Sequence, residues 1–142
     1  MKRLGLLTLL LVVLSCSGND DNNENCNFLL NAAVNAELNL SFPQYNDLNF
    51  PSSPIYEPNQ GNGGIIVTNT GSGYVAYDAA DPNHQQNLCS VLTINGLEGE
   101  CGCTDENTYS LFTGQPLSNP NLPCGLKAYR AELIGNILRI TN

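Results

Sequence analysis

The chain has 142 residues and a formal net charge of −8, from 13 acidic and 5 basic side chains. Such an acidic chain repels phosphate groups, so its charge excludes a nucleic-acid partner and electrostatic docking on anionic lipid. Its length suits one domain, and the absence of Trp together with 21 Gly and Pro residues favours short strands joined by many turns.

The N-terminus has the pattern of an export signal. Two basic residues, Lys2 and Arg3, precede a nearly unbroken apolar run over residues 4–14. A spanning helix needs roughly 20 apolar residues, so this run is too short to cross a membrane. A small residue and then Cys16 follow it directly, which resembles a lipobox. We therefore predict a signal peptide over residues 1–15 and an acylated Cys16 as the mature N-terminus.

A polar segment follows the predicted lipid anchor. Residues 17–25 contain no apolar side chain, so they cannot bury enough surface to offset their ordering entropy. We predict a flexible tether over residues 16–35, and acyl chains that hold the protein on the outer membrane. Acidic residues just after a lipidated cysteine resemble the surface-export signal of some Gram-negative lipoproteins, which leaves both faces of that membrane open. The mature chain carries a net charge of about −10.

Residues 36–142 are predicted to form one all-β domain. The segment 36–42 alternates apolar and polar residues, as a half-buried strand does. Residues 45–58 contain three prolines and are predicted to be an extended, irregular crossing. Further strands and hairpins are predicted at residues 65–69 with 74–78, 91–94 with 97–101, 108–112, and 129–134 with 137–141. This spacing favours a small antiparallel β-sandwich or barrel.

Two loops contain the side chains that can bind a metal or react chemically. The first, at residues 80–89, contains the single histidine of the chain, and the second, at residues 101–106, begins Cys-Gly-Cys. Each follows a hairpin strand, so we expect both loops at one tip of the domain.

The order of motifs around these loops resembles the Rieske-type [2Fe–2S] domain family, over about residues 60–142. The resemblance is carried by Tyr-Val-Ala-Tyr-Asp at 74–78, Tyr-Ser-Leu-Phe-Thr-Gly at 109–114, Lys-Ala-Tyr-Arg at 127–130 and Gly-Asn-Ile-Leu-Arg-Ile at 135–140. It implies a Rieske-like β-domain with its two cluster loops at one tip.

The ligand positions of that family are depleted in this chain. A Rieske cluster needs two cysteines and two histidines. The resemblance puts Asp81 and Asn83 at the first cysteine and histidine, with His84 one residue late. It keeps Cys101 as the second cysteine and puts Thr104 at the second histidine. We therefore predict that the cluster has been lost and that no cofactor is bound. The alternative is a [2Fe–2S] cluster on non-standard ligands that include His84 and Cys101, or a zinc-type site. His84, Cys89, Cys101 and Cys103, with Asp81 as a further oxygen donor, offer enough ligands for zinc, provided that the thiols are free.

The resemblance also implies a disulfide. Respiratory-type members brace their cluster loops with an extra pair of cysteines, and Cys89 and Cys103 occupy those places. With that bridge formed, Cys26 could pair with Cys124 and tie the N-terminal segment to the proline-bearing segment at residues 120–129. Cys101 is then left over, as a buried thiol, an intermolecular partner or a metal ligand.

Two functional hypotheses follow from these residues. The first is a binding or structural module with an unknown protein partner, because no catalytic constellation is found: His84 is the only imidazole, and no nucleophile motif accompanies it. The second is a redox, electron-transfer or metal-binding protein.

Overall fold

The computed structural model describes residues 26–142, which form strands joined by turns. Two short 3₁₀ helices, Pro43–Asn49 and Leu88–Ser90, lie between strands. Within these residues there are nine strands: β1 (Asn35–Asn39), β2 (Ile55–Glu57), β3 (Ile65–Asn69), β4 (Tyr74–Asp78), β5 (Thr93–Asn95), β6 (Glu98–Glu100), β7 (Thr108–Ser110), β8 (Ala128–Ile134) and β9 (Ile137–Thr141). The prediction of an all-β domain is confirmed.

The strands form two antiparallel sheets. Six strands pair in the order β1-β9-β8-β4-β3-β2, and three pair in the order β5-β6-β7. Asn35 in β1 lies opposite Thr141 in β9, so the first and last strands of the domain are neighbours. The chain leaves the large sheet at the end of β4 and enters the small sheet at β5. The segment between them therefore lies where the two sheets meet.

β3 is buried on both faces of the large sheet. Ile65 and Val67 point into one apolar cluster, to which strands β1, β3, β4, β8 and β9 contribute buried residues. The large sheet therefore curls around this cluster. Ile66 points the other way, into a second cluster that includes Tyr77 and Leu111. Because alternate strand residues face opposite sides, a sheet covered on both sides explains the continuous apolar run of β3.

The segment predicted as an irregular crossing, residues 45–58, contains regular structure, so this part of the prediction is wrong. Pro43 begins the helix Pro43–Asn49, since its fixed φ suits a first helical turn. Leu48, which is 0% exposed, anchors that helix in the first apolar cluster. β2 then pairs with β3.

Contacts of the domain extend back to Cys26, which is disulfide-bonded to Cys124 with a Cα–Cα distance of 5.8 Å. The Leu30 N–H donates to Asn62 Oδ1 at 2.8 Å, and Lys127 Nζ donates to the Leu30 carbonyl at 2.8 Å. Residues 26–34, assigned to the tether from sequence, are therefore held on the domain. The predicted signal peptide, Cys16 and the rest of the predicted tether lie outside the described residues. Among residues 26–142, no helix has the length and apolar character needed to span a membrane.

Replacing Leu138 with Ala tests the first apolar cluster. The side chain is 0% exposed in the middle of β9, so its loss leaves a cavity and should cost about 2–5 kcal/mol of unfolding free energy. Leu88→Ala is the matched control, because Leu88 is 99% exposed and should change stability by less than about 0.5 kcal/mol. Urea unfolding followed by circular dichroism measures both; equal losses would contradict the assigned core.

Candidate functional site

The two loops singled out from sequence lie together. We define the first loop as residues 79–92 and the second loop as residues 101–107. Cys89 and Cys103 form a disulfide with a Cα–Cα distance of 5.0 Å, and the Gly102 N–H donates to the Cys89 carbonyl at 2.9 Å. Both cysteine pairings named from the sequence are thus present in the structure. The loops form one covalently joined tip.

Asp81 is the centre of a buried hydrogen-bond network. Its side chain is 0% exposed. Oδ1 accepts a hydrogen bond from the Tyr109 hydroxyl at 2.5 Å and another from the Asn83 N–H at 2.8 Å. Oδ2 accepts from Asn107 Nδ2 at 2.9 Å. Burial, reinforced by the hydrogen bond to Asp81, raises the pKa of Tyr109 far above its usual value, so its hydroxyl keeps the proton that it donates.

Asn83 joins the first loop to a third segment, the proline-rich loop at residues 116–127. Its Nδ2 donates to the Tyr109 hydroxyl at 2.8 Å and to the Cys124 carbonyl at 2.7 Å. Its Oδ1 accepts from the Cys124 N–H at 3.1 Å. One amide thus pairs with both backbone groups of Cys124, which is itself bonded to Cys26.

Cys101 is a buried thiol at the edge of this network, and it is the free cysteine among the described residues. Its Sγ lies 3.6 Å from Asp105 Oδ1 and 3.7 Å from the Cys89 carbonyl oxygen. Burial, followed by the hydrogen bond and negative charge of Asp81, raises the pKa of the Cys101 thiol to about 12. The group is therefore a neutral hydrogen-bond donor rather than a reactive thiolate.

His84 lies outside the buried network, beside the disulfide. Its Nδ1 is 2.7 Å from the Gln85 carbonyl oxygen, which can only accept, so a neutral imidazole carries its proton on Nδ1. Nδ1 is also 3.7 Å from Cys103 Sγ, and Nε2 is 4.0 Å from Asp105 Oδ2. Thr104 is exposed on the second loop. The structure therefore gathers the His84 side chain with Cys103 and Asp105. Asp105 also links this group to the Asp81 network, because its Oδ2 accepts from Asn107 Nδ2 at 3.2 Å.

Sequence reasoning missed a second buried carboxylate, Asp78, which is 0% exposed. Its oxygens accept from the Tyr129 hydroxyl at 2.5 Å, from Asn62 Nδ2 at 2.8 Å and from the N–H groups of Gly63 and Ala80 at 3.0 and 2.9 Å. The available signal was the position of Asp78, an acidic residue between the apolar strand 74–77 and two alanines. An acidic residue with apolar neighbours on both sides is a candidate for burial, and a buried charge needs hydrogen-bond partners. The other omission is Asn107, a buried side chain that donates to Asp81.

The donor set does not fit a Rieske centre. Of the four positions that the resemblance assigns, Cys101 alone presents a sulfur, and the chain has one histidine. Asp81 and Asn83 use their side-chain oxygens on Tyr109, Asn107 and backbone N–H groups. Hydrogen bonds therefore join the loops at the positions where that family holds iron.

No family model matches the sequence, and a search of curated proteins finds no relative. Among solved structures, the ferredoxin of carbazole 1,9a-dioxygenase from Nocardioides aromaticivorans IC177 is 17% identical, over 66% of this chain and 90% of its own, with a TM-score of 0.46. A chain of a complex of reduced oxygenase and oxidized ferredoxin in carbazole 1,9a-dioxygenase is 20% identical, over 64% and 82%, with a TM-score of 0.46. Likenesses of this size assign neither family nor function, so the chemistry rests on the contacts above.

Asp81→Ala tests the central carboxylate. The change leaves the buried Tyr109 hydroxyl and the Asn83 N–H without their acceptor, and Asn107 Nδ2 keeps Asp105 Oδ2 alone. We therefore expect a loss of roughly 2–4 kcal/mol of unfolding free energy. The exposed Asp47→Ala is the control and should stay within about 0.5 kcal/mol. An unchanged unfolding midpoint for Asp81→Ala would show that the carboxylate does not hold the loops.

Thiol counting on the unreduced protein in detergent tests the cysteine assignment. At pH 8 the folded protein should react negligibly with an aromatic disulfide reagent, because Cys101 is buried and its pKa is raised to about 12. After denaturation, about one thiol per chain should appear. Three thiols would show that one of the two bridges, Cys26–Cys124 or Cys89–Cys103, is missing, and two would indicate that Cys16 is not acylated.

Proposed function

We propose that this protein is an exported lipoprotein of the outer membrane whose Rieske-like β-domain has lost its iron–sulfur cluster and serves a binding or structural role. The acyl chains on Cys16 hold it on the bilayer, and the acidic domain contacts a protein partner rather than the lipid surface. The chain is not an enzyme in this proposal.

The observation that carries the proposal is the pair of side chains at the first loop. Asp81 and Asn83 stand where the resembled family has a cysteine and a histidine, and both are engaged in hydrogen bonds that join separate loops. A carboxylate and an amide serve this purpose well because each offers several acceptor or donor sites. The substitutions therefore replace metal-mediated joining of the loops by hydrogen bonding.

Covalent bonds reinforce the same tip. The Cys89–Cys103 bridge closes a loop of 14 residues, which is worth about 3 kcal/mol on a chain-entropy estimate. Cys26–Cys124 fixes the proline-rich loop beside Asn83. Such bonds persist in an oxidising compartment, in keeping with export. A tip held this firmly is suited to presenting a fixed surface to a partner, since little ordering entropy is lost on binding.

Measurements of bound iron and sulfide, of acylation at Cys16 and of membrane association test the proposal. Protein purified anaerobically from membranes should be colourless and free of stoichiometric iron and acid-labile sulfide, and its N-terminal peptide should carry acyl groups on Cys16. Residues 17–142, exported behind a signal that is cleaved without acylation, should be found in the soluble fraction with an unchanged circular dichroism spectrum. A brown preparation with stoichiometric iron and sulfide would refute the loss of the cluster; membrane retention of the unacylated chain would refute the anchor.

A further inference from the structure

We propose that reducing the Cys89–Cys103 disulfide turns the exposed side of the tip into a zinc-type metal site, with His84, Cys89, Cys103 and Asp105 as ligands. The proposal goes beyond the function above and depends neither on the lipid anchor nor on the absence of an iron–sulfur cluster. It concerns residues that stand beside the Asp81 network.

Three of the four donors already converge, and the fourth is covalently bonded to one of them. His84, Cys103 and Asp105 can each place one ligand atom within 4.8 Å of the others, and Cys89 Sγ is bonded to Cys103 Sγ. Ligands of tetrahedral zinc lie about 2.0–2.3 Å from the ion, and therefore roughly 3.3–3.8 Å from one another. Small side-chain rotations bring the donors to that separation once the two sulfurs are released. The set of one nitrogen, two sulfurs and one oxygen is typical of zinc.

The loop backbone has supports that do not involve the disulfide. The Gly102 N–H donates to the Cys89 carbonyl at 2.9 Å, and the Glu106 N–H donates to the Cys103 carbonyl at 3.0 Å. The Asn87 side chain caps the turn that carries Cys89 by accepting from its N–H at 2.8 Å. These bonds would keep the donors near one another after reduction, so the site needs little reorganisation.

An ion and a reductant can both reach the site. The side chains of His84 and Asp105 are 27% and 34% exposed, and Cys89 is an exposed residue. His84 Nε2 is the unprotonated nitrogen when Nδ1 donates to the Gln85 carbonyl, as a neutral imidazole ligand requires. A hydrogen bond to a backbone carbonyl from the other ring nitrogen is the usual second-shell support for such a ligand.

The redox step balances with a dithiol oxidoreductase as the reductant. One thiolate of the dithiol attacks Cys89 Sγ, forms a mixed disulfide and releases Cys103 as the leaving thiolate. The second thiol of the reductant then displaces Cys89 and closes the reductant's own disulfide. Two electrons and two protons reach the Cys89–Cys103 pair, and Zn²⁺ binding releases those two protons because both sulfurs bind as thiolates. In the reverse exchange, the disulfide form of the oxidoreductase accepts two electrons from the two thiolates and takes up two protons, which re-forms the Cys89–Cys103 bond and expels the ion.

Cys101 is not among the ligands. It is buried, and its Sγ faces the carboxylates of Asp81 and Asp105 on the inner side of the second loop. It therefore provides a matched control, because it is a cysteine of the same loop, two residues from Cys103, with a different expected result.

The test uses Co²⁺ as a spectroscopic substitute for Zn²⁺. The full-length lipoprotein in detergent is reduced with a phosphine, which consumes water and becomes the phosphine oxide, and is then exchanged anaerobically into reductant-free buffer. Titration should give thiolate-to-cobalt charge-transfer and tetrahedral ligand-field bands that saturate at about one Co²⁺ per chain, and added Zn²⁺ should remove them. The untreated, oxidised protein should give neither band.

Five variants test which residues bind Co²⁺. His84→Ala and Asp105→Ala should each weaken Co²⁺ binding by about tenfold or more, and Cys103→Ser should weaken it further and remove part of the charge-transfer intensity. Cys101→Ser should leave affinity and spectrum unchanged. Cys26→Ser cannot form the other disulfide, and before reduction it should give no cobalt bands, which would show that opening the Cys26–Cys124 bond alone does not create the site.

Three results would overturn the proposal. They are reduced protein that keeps its circular dichroism spectrum and gives no cobalt bands, reduced protein that unfolds without binding cobalt, and bands that depend on Cys101 rather than on His84 and Cys103. None of these outcomes alters the iron, sulfide and acyl analysis of the oxidised protein, so failure here is distinguishable from failure of the proposed function.

Discussion

The rest of the tip depends on one buried carboxylate. Asp81 accepts hydrogen bonds from Tyr109 and Asn107, which lie 28 and 26 residues further along the chain. A buried charge is costly unless every oxygen is paired, and these partners come from the end of the second loop and from β7, which follows it directly. The same Tyr109 hydroxyl accepts from Asn83, which in turn pairs with the backbone of Cys124. One charge thus determines how three separate loops are arranged.

A second carboxylate repeats this arrangement at the other end of the same turn. Asp78 pairs with the Tyr129 hydroxyl and with backbone N–H groups, and Asp81 follows three residues later. Burial, followed by the hydrogen bonds to the neighbouring carboxylates, raises the pKa values of both tyrosines, so each hydroxyl keeps the proton that it donates. The chain between β4 and β5 is therefore held by buried polar pairs as well as by apolar packing.

Local sequence patterns were enough to predict the strands, whereas they predicted only some of the residues of the site. The alternation of apolar and polar residues in β1 and the glycines in the hairpin turns predicted the strand positions, because each of these signals involves only residues that are neighbours in the sequence. The motif order placed Asp81 and Asn83 at one tip, yet nothing in the sequence identified Asn107 as a partner, since that contact depends on the fold. The helix Pro43–Asn49 was missed because its anchor is the single buried residue Leu48. The contacts of residues 26–34 depend on Asn62 and Lys127, far away in sequence.

The Cys26–Cys124 bond also determines how the domain carries mechanical load. Tension on the chain that precedes Cys26 passes through the sulfurs into the proline-rich loop. Residues 27–34 and strand β1 are bypassed, so such a pull does not unzip β1 from β9. The force instead arrives beside Asn83, the amide that pairs with both backbone groups of Cys124. A domain pulled through this bond would lose its loop contacts, such as those of Asn83 with Cys124, before the strand pairs of its sheet separate.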